Sequence, residues 1–282
     1  MTDRYKTLID NFVLWGMSTE KVQAALILGS QAREDCTADE YSDLDIVMFV
    51  DDPEYFIESD HWLGKFGVYH VTFVENTIDG GQERRVLFDG ACDVDFIIQP
   101  LDSYKSIADS KVAFILLRGY SIIIDKIGLK DKLEPLTAVK PTYEFPTEQA
   151  FLGIINDFWY HAVWTAKKLK RGERWTAKSC LDSYMKWRLL TIIECYARAR
   201  YGIDYDTWYS GRFLERWAES WIIEDLEKCF ALYDESSIRD ALFSTMSLFR
   251  VIAIKVAEKL GYQYPTSADE YATRYVTSLI QN

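Results

Sequence analysis

Ala24-Ala25-Leu26-Ile27-Leu28-Gly29-Ser30, then Ser42-Asp43-Leu44-Asp45-Ile46-Val47-Met48-Phe49-Val50, is the stretch that decides how the first half of this chain folds. The first run is short, apolar and ended by glycine, which reads as a buried strand. Ser30-Gln31-Ala32-Arg33 has the composition of a helix start, with Ser30 placed to cap it. Such a start presents free backbone N–H groups to an anion, and glycine lets phosphate oxygens approach the main chain closely. In the second run, Asp43 and Asp45 alternate with apolar residues. On a strand, with its period of two, both carboxylates point to one face.

Two carboxylates about 4 Å apart at an effective dielectric near 20 repel by roughly 4 kcal/mol, enough to raise one pKa or recruit a cation. Hard oxygen donors favour magnesium or manganese, with nucleotide phosphates supplying the remaining coordination. A lone Asp-x-Asp recurs by chance on the wet face of an edge strand, but the glycine-serine turn upstream favours the metal reading. A third carboxylate is available in Cys92-Asp93-Val94-Asp95-Phe96-Ile97-Ile98-Gln99-Pro100. Asp93 and Asp95 share one face of that strand, while Val94, Phe96 and Ile98 line the other and enter a core. Either Asp93 or Asp95 can complete a set suited to in-line displacement at phosphorus.

A chain of 282 residues can bury a sizeable core in one large domain or two. Up to about residue 125, strand-like runs such as Val68–Val74 and Ser121–Ile124 mix with short helical patterns, indicating an α/β or α+β domain. Pro135, Pro141 and Pro146, half of the six prolines, then cluster in a segment without sustained periodicity. Beyond it the period becomes helical: Phe151 to Thr165, Leu181 to Ile192, and Ala241 to Leu260 with Gly261 as stop signal. These boundaries predict a domain over 1–135, a linker over 136–146 and a helical bundle over 147–282. Trp159, Tyr160, Trp164, Trp175 and Trp187 fall in that bundle and are expected mostly in its core, with one or two left to stack on a base or sugar ring.

The 44 acidic residues against 32 basic ones give a net charge of -12. That balance opposes nucleic-acid binding, which needs cations to replace the counterions of phosphate. It suits a polycationic small molecule, although excess acid also serves solubility. The longest apolar stretch, Val112 to Leu117, is too short to span a membrane, and the N-terminus has no secretory pattern. Five scattered cysteines suggest reduced thiols in a cytoplasm, with neither zinc spacing nor a disulfide framework. His61, His70 and His161 show no motif spacing, which weighs against a histidine-dependent triad or a zinc hydrolase.

Gly29-Ser30, Ser42-Asp43-Leu44-Asp45 and the later Asp95 strand ending in Pro100 resemble the nucleotidyltransferase superfamily that includes DNA polymerase β. More closely, the chain resembles the aminoglycoside 6-adenylyltransferases, through Asp60-His61-Trp62-Leu63 leading to Phe66-Gly67, Val94 to Pro100, Phe158-Trp159 and Gly261-Tyr262-Gln263-Tyr264-Pro265. The likeness runs over nearly the whole length; a departure is Glu34, where the polymerase-like loop often has a second glycine.

The resemblance implies an α+β fold: an N-terminal nucleotidyltransferase domain with a mixed β-sheet flanked by helices, then a C-terminal helical bundle that binds the acceptor. It implies ATP as co-substrate, magnesium on Asp43, Asp45 and Asp95, and a cationic aminoglycoside, streptomycin, as acceptor. It assigns Asp95 as third ligand, leaving Asp93 beside it, and matches Asp182 to a carboxylate position of the family, which we expect to act as general base. An acid in a helix's first turn is the plainer account of Asp182. Gly29, Ser30, Arg33, Ser42 and Lys178 are the expected nucleotide-binding positions. Lys178 and Asp182 also stand four apart, as a simple ion pair on one helix face would, and Arg33 also fits a solvated surface. A protein or RNA-end acceptor, and a catalytically silent antitoxin-like module, are the alternatives; clustered acids kept without a metal weigh against the second.

Overall fold

The computed structural model describes residues 3–33, 38–77, 80–109, 113–134 and 143–280. It divides into two units, Met1–Pro141 and Thr142–Asn282. Most of the proline-bearing segment expected as a linker, together with Glu34 and Cys36, lies outside the described residues.

In the first unit α1 (Lys6–Ser18) leads into β1 (Val22–Leu28), a three-residue 3-10 turn at Gly29–Gln31, and β2 (Leu44–Val50). After α2 (Pro53–Glu58) come β3 (Tyr69–Asn76), β4 (Gln82–Phe88) and β5 (Cys92–Pro100), then α3 (Ala113–Leu116), β6 (Ser121–Asp125) and α4 (Leu129–Leu133). The strands form one mixed sheet in the order β3-β4-β5-β2-β1-β6. Only the β2–β5 pairing among these is parallel, and the excursion through α2, β3 and β4 makes it possible, since parallel neighbours need a crossover.

Alternation along the strands feeds two apolar layers. Ile27, Leu44, Ile46, Met48, Val94, Phe96 and Ile98 face α1 and α2 with Phe12, Phe56, Trp62 and Phe66, so Val94, Phe96 and Ile98 enter the core as their spacing predicted. Leu26, Leu28, Val47 and Phe49 meet Ile107, Leu116, Leu129 and Leu133 on the other side. Asp45 and Asp95 occupy strand positions whose parity belongs to this second face. The expected helix at Ser30 is replaced, among the described residues, by the single 3-10 turn. Gly119 crosses directly over that turn: a Cβ on it would stand 2.9 Å from the Ala32 carbonyl oxygen and 3.2 Å from the Arg33 Cα.

The second unit is helical: α5 (Glu148–Lys170), α6 (Arg174–Ser179), α7 (Met185–Tyr201), α8 (Leu214–Trp217), α9 (Ser220–Leu226), α10 (Glu235–Leu260) and α11 (Thr266–Ile280). Thr147 and Asp234 cap α5 and α10 by accepting from the backbone N–H groups of Ala150 and Ser237, and Gly261, at φ 71°, closes α10 in the left-handed region as its stop signal requires. Phe158 and Phe249 stack with centroids 3.6 Å apart in the core. Trp159 donates to the Tyr264 hydroxyl, which donates to Asp269, whose two oxygens accept from Nε and a terminal nitrogen of Arg250. The bundle does not bury all its aromatics: Trp159 is in the core, whereas Tyr160, Trp175 and Trp187 are 66%, 74% and 53% exposed.

Candidate active site

Strand register gathers the acids. Leu28 pairs with Asp45, Asp45 with Asp95, Asp95 with Arg85 and Arg85 with Phe73, a single row across five strands of the sheet. In-register neighbours point to one face, so Asp45, Asp95 and Arg85 stand side by side. Asp95 rather than Asp93 is the acid set beside Asp45; Asp93 pairs with Leu87 and is exposed. Burial pushes the Asp95 carboxyl up to about 7, with Arg85 pulling it down and Asp45 and Glu83 adding to the rise.

The turn after β1 presses on this row. Gly29 has φ 67°, and a Cβ there would fall 2.3 Å from Oδ2 of Asp45, so only glycine lets the turn close over the carboxylate. The Ser30 hydroxyl is buried and has no hydrogen-bond partner among the described residues, so it caps nothing there. Gln31, almost fully buried, donates from Nε2 to the Asp43 carbonyl at 3.2 Å and ties the turn to the entrance of β2. Asp43 precedes β2 by one residue and is half-buried. Ser42 spends its hydroxyl on Asp39, at 3.0 Å, and Arg33 is half-buried beside Gly119.

Tyr5 was not singled out by the sequence. Its side chain is buried, its hydroxyl lies 3.0 Å from the Ser42 carbonyl oxygen, and the Asp93 N–H donates to it at 3.2 Å. It therefore pins the entrance of β2 to that of β5, immediately before the two carboxylates.

Hard oxygens of Asp45 and Asp95 suit a divalent cation, and magnesium is commonly held by one or two carboxylates with substrate phosphates completing its shell. The buried Asp95 carboxyl and the Ser30 hydroxyl, which has no hydrogen-bond partner among the described residues, fit a cation and a phosphate respectively. Among the described residues no three His, Cys, Asp or Glu side chains are gathered as a metal cluster.

In the second unit Asp182 sits in a π-turn, Cys180–Tyr184, between α6 and α7. Such wide turns interrupt the helical ladder and recur at functional sites. Oδ2 of Asp182 accepts from Lys178, which also donates to the Ala231 carbonyl, while Oδ1 is buried without a partner among the described residues. Lys178 is thus engaged in the ion pair that its spacing allowed. Tyr184 of the same turn donates to Asp157, which also binds Arg188 and His161, a charged group beside exposed aromatics that helical periodicity alone did not single out.

A family model described as streptomycin adenylyltransferase matches residues 3–279. An aminoglycoside 6-adenylyltransferase of Bacillus subtilis (strain 168) is 24% identical over 282 residues, covering 96% of this chain and 96% of its own. One from Campylobacter jejuni is 22% identical over 277 residues, covering 96% of this chain and 94% of its own. The crystal structure of an aminoglycoside 6-adenyltransferase from Bacillus subtilis aligns over 99% of both chains at 20% identity, with a TM-score of 0.47. No helix among the described residues is long and apolar enough to cross a membrane.

Proposed function

The chain belongs to the streptomycin adenylyltransferase family, and from that premise we propose that it moves the adenylyl group of ATP onto a hydroxyl of a cationic aminoglycoside. The acceptor we assign is streptomycin, at the 6-position of its streptidine ring, and pyrophosphate is the second product. The observation that carries this reading is the family match from residue 3 to residue 279, joined to the register that sets Asp45 beside Asp95.

Asp45 and Asp95, with Asp43 at the mouth of β2, would hold a magnesium ion, which supplies Lewis-acid stabilisation of the charge that develops on the transferring phosphate. The turn at Gly29 and the Ser30 hydroxyl receive the β- and γ-phosphates, with Ser42 and Arg33 flanking and Lys178 as a further phosphate ligand. The acceptor oxygen bonds to the α-phosphorus as the bridge to the β-phosphate breaks. Asp182 takes the hydroxyl proton, directly or through a water. The acidic excess favours a polycation over a nucleic-acid end as acceptor, and streptomycin's guanidino groups pair well with carboxylates.

The test is transfer of label from α-labelled ATP in the presence of magnesium, streptomycin and a panel of other aminoglycosides. Labelled antibiotic is expected with streptomycin, and Asp45→Asn is expected to abolish it in a protein that still folds. Folded protein that labels no aminoglycoside, or an Asp45→Asn variant of normal activity, would sink the proposal.

A further inference from the structure

Arg85 is wired into the acid row from both ends. Its Nε lies 2.8 Å from Oε1 of Glu83 and 2.9 Å from Oε1 of Glu75, and a terminal nitrogen reaches Oδ2 of Asp95 at 3.3 Å. Register explains the arrangement: Glu83 is two residues along β4 on the same face, Glu75 pairs with Glu83 from β3, and Asp95 pairs with Arg85 from β5. A guanidinium is planar, with its donors in a fixed fork, so two glutamates holding the Nε edge set the direction of the other end. A lysine ammonium on its flexible stem cannot be aimed in that way.

We propose that Arg85 is a positioning residue for adenylyl transfer: braced by Glu75 and Glu83, it holds Oδ2 of Asp95 and turns that carboxylate's other oxygen to the divalent cation. This inference rests on the proposed function. It has a signature that a structural ion pair lacks. The positive charge of Arg85 opposes a cation at the same carboxylate, while its ion-pair contact at 3.3 Å orients that carboxylate. Loss of Arg85 therefore tightens metal binding and slows turnover, whereas general damage to the sheet weakens both. The side chain is 43% exposed, so its removal opens no cavity in the core.

The experiment measures Mn2+ binding to the full chain without nucleotide, from the electron paramagnetic resonance signal of free Mn2+, alongside kcat at saturating Mn2+, ATP and streptomycin. The proteins compared are wild type, Asp45→Asn, Arg85→Met and Arg85→Lys. Wild type is expected to bind Mn2+ at a site that Asp45→Asn removes. Arg85→Met is expected to bind on the order of tenfold more tightly, the effect of deleting one positive charge close to a divalent ion under water-like screening. Its kcat is expected to fall on the order of tenfold, in keeping with a displaced ligand. Arg85→Lys keeps the charge without the fork, so it should bind Mn2+ as wild type does and still turn over more slowly. An Arg85→Met protein that binds Mn2+ no tighter than wild type, or keeps wild-type kcat, overturns the inference. Should that variant not fold, an Arg85→Lys protein with unchanged kcat overturns it equally. A wild type with no Asp45-dependent Mn2+ site overturns the proposed function and this inference together, and is recognised before any Arg85 variant is made.

Discussion

Gly29→Ala separates backbone strain from damage to the acid row. Gly29 has φ 67°, and alanine in the left-handed region costs about 1–2 kcal/mol, offset by about 0.4–1 kcal/mol because alanine also restricts the unfolded chain. The added Cβ would lie 2.3 Å from Oδ2 of Asp45, so the carboxylate must swing away, at about 0.5–1.5 kcal/mol if it leaves its rotamer well. The net loss of stability should therefore be about 1–2 kcal/mol, while displacing a reactive group by roughly 1 Å costs about 10²-fold in turnover. Gly90 supplies the control, because it has φ 72° and nothing within 4 Å of its would-be Cβ. Gly90→Ala should lose about 1 kcal/mol and keep its activity. Urea midpoints give the stabilities, and label transfer to streptomycin gives kcat. A Gly29→Ala enzyme no more impaired in turnover than Gly90→Ala would refute the close packing of the turn on Asp45 as a catalytic requirement.

Other consequences follow from buried polar groups. Burial lifts the Glu194 carboxyl from an ordinary 4.5 to about 7, with Arg198 pulling the other way, so the folded state keeps a proton that the unfolded chain has lost. That stabilisation is complete below the ordinary value and disappears as pH rises through about 7. Glu194→Gln should therefore gain on wild type by roughly 2–3 kcal/mol between pH 5 and pH 8 in urea denaturation, and a difference that stays constant over that range would count against it. Tyr5→Phe removes the hydroxyl that links Ser42 to Asp93; a loss of about 1–2 kcal/mol is expected, with a fall in kcat larger than that of a comparable core change, and an unchanged kcat would show that the link does not position the acids. Asp182→Asn should lower kcat by about 10²–10³-fold in a protein that still folds, with about 1–3 kcal/mol of stability lost along with its ion pair to Lys178, whereas activity within threefold of wild type would remove Asp182 as the base.

Local pattern and register differ in how far they can be read from the chain. The glycine-ended strand, the alternating acids of β2 and the caps and stop signals of the long helices depend on neighbours in sequence, and they are plain there. The distant matches that mark the family, Trp62, Phe66, Trp159 and Tyr264, turn out to be packing and network residues in the two cores, which is why they reported fold better than chemistry. Tyr5, and the bracing of Arg85 by Glu75 and Glu83, depend on which strands lie together, and no spacing in the sequence states that. Tyr160, Trp175 and Trp187 fell on the wet side because helical periodicity finds an apolar stripe without saying which side of it a neighbour covers.

The acid pair shows how core and chemistry are specified by the same alternation. Asp95 follows Asp45 by fifty residues, yet lies beside it because β5 pairs in parallel with β2. A slip of one residue in β5 would turn Asp95 into the layer of Phe12, Trp62 and Phe66, and set Val94 or Phe96 next to Asp45. A carboxylate in that apolar layer, with a large hydrophobe facing Asp45 instead, is strongly disfavoured. Val94, Phe96 and Ile98 therefore act on the candidate active site without touching it: by demanding one face of the sheet, they assign Asp95 to the other.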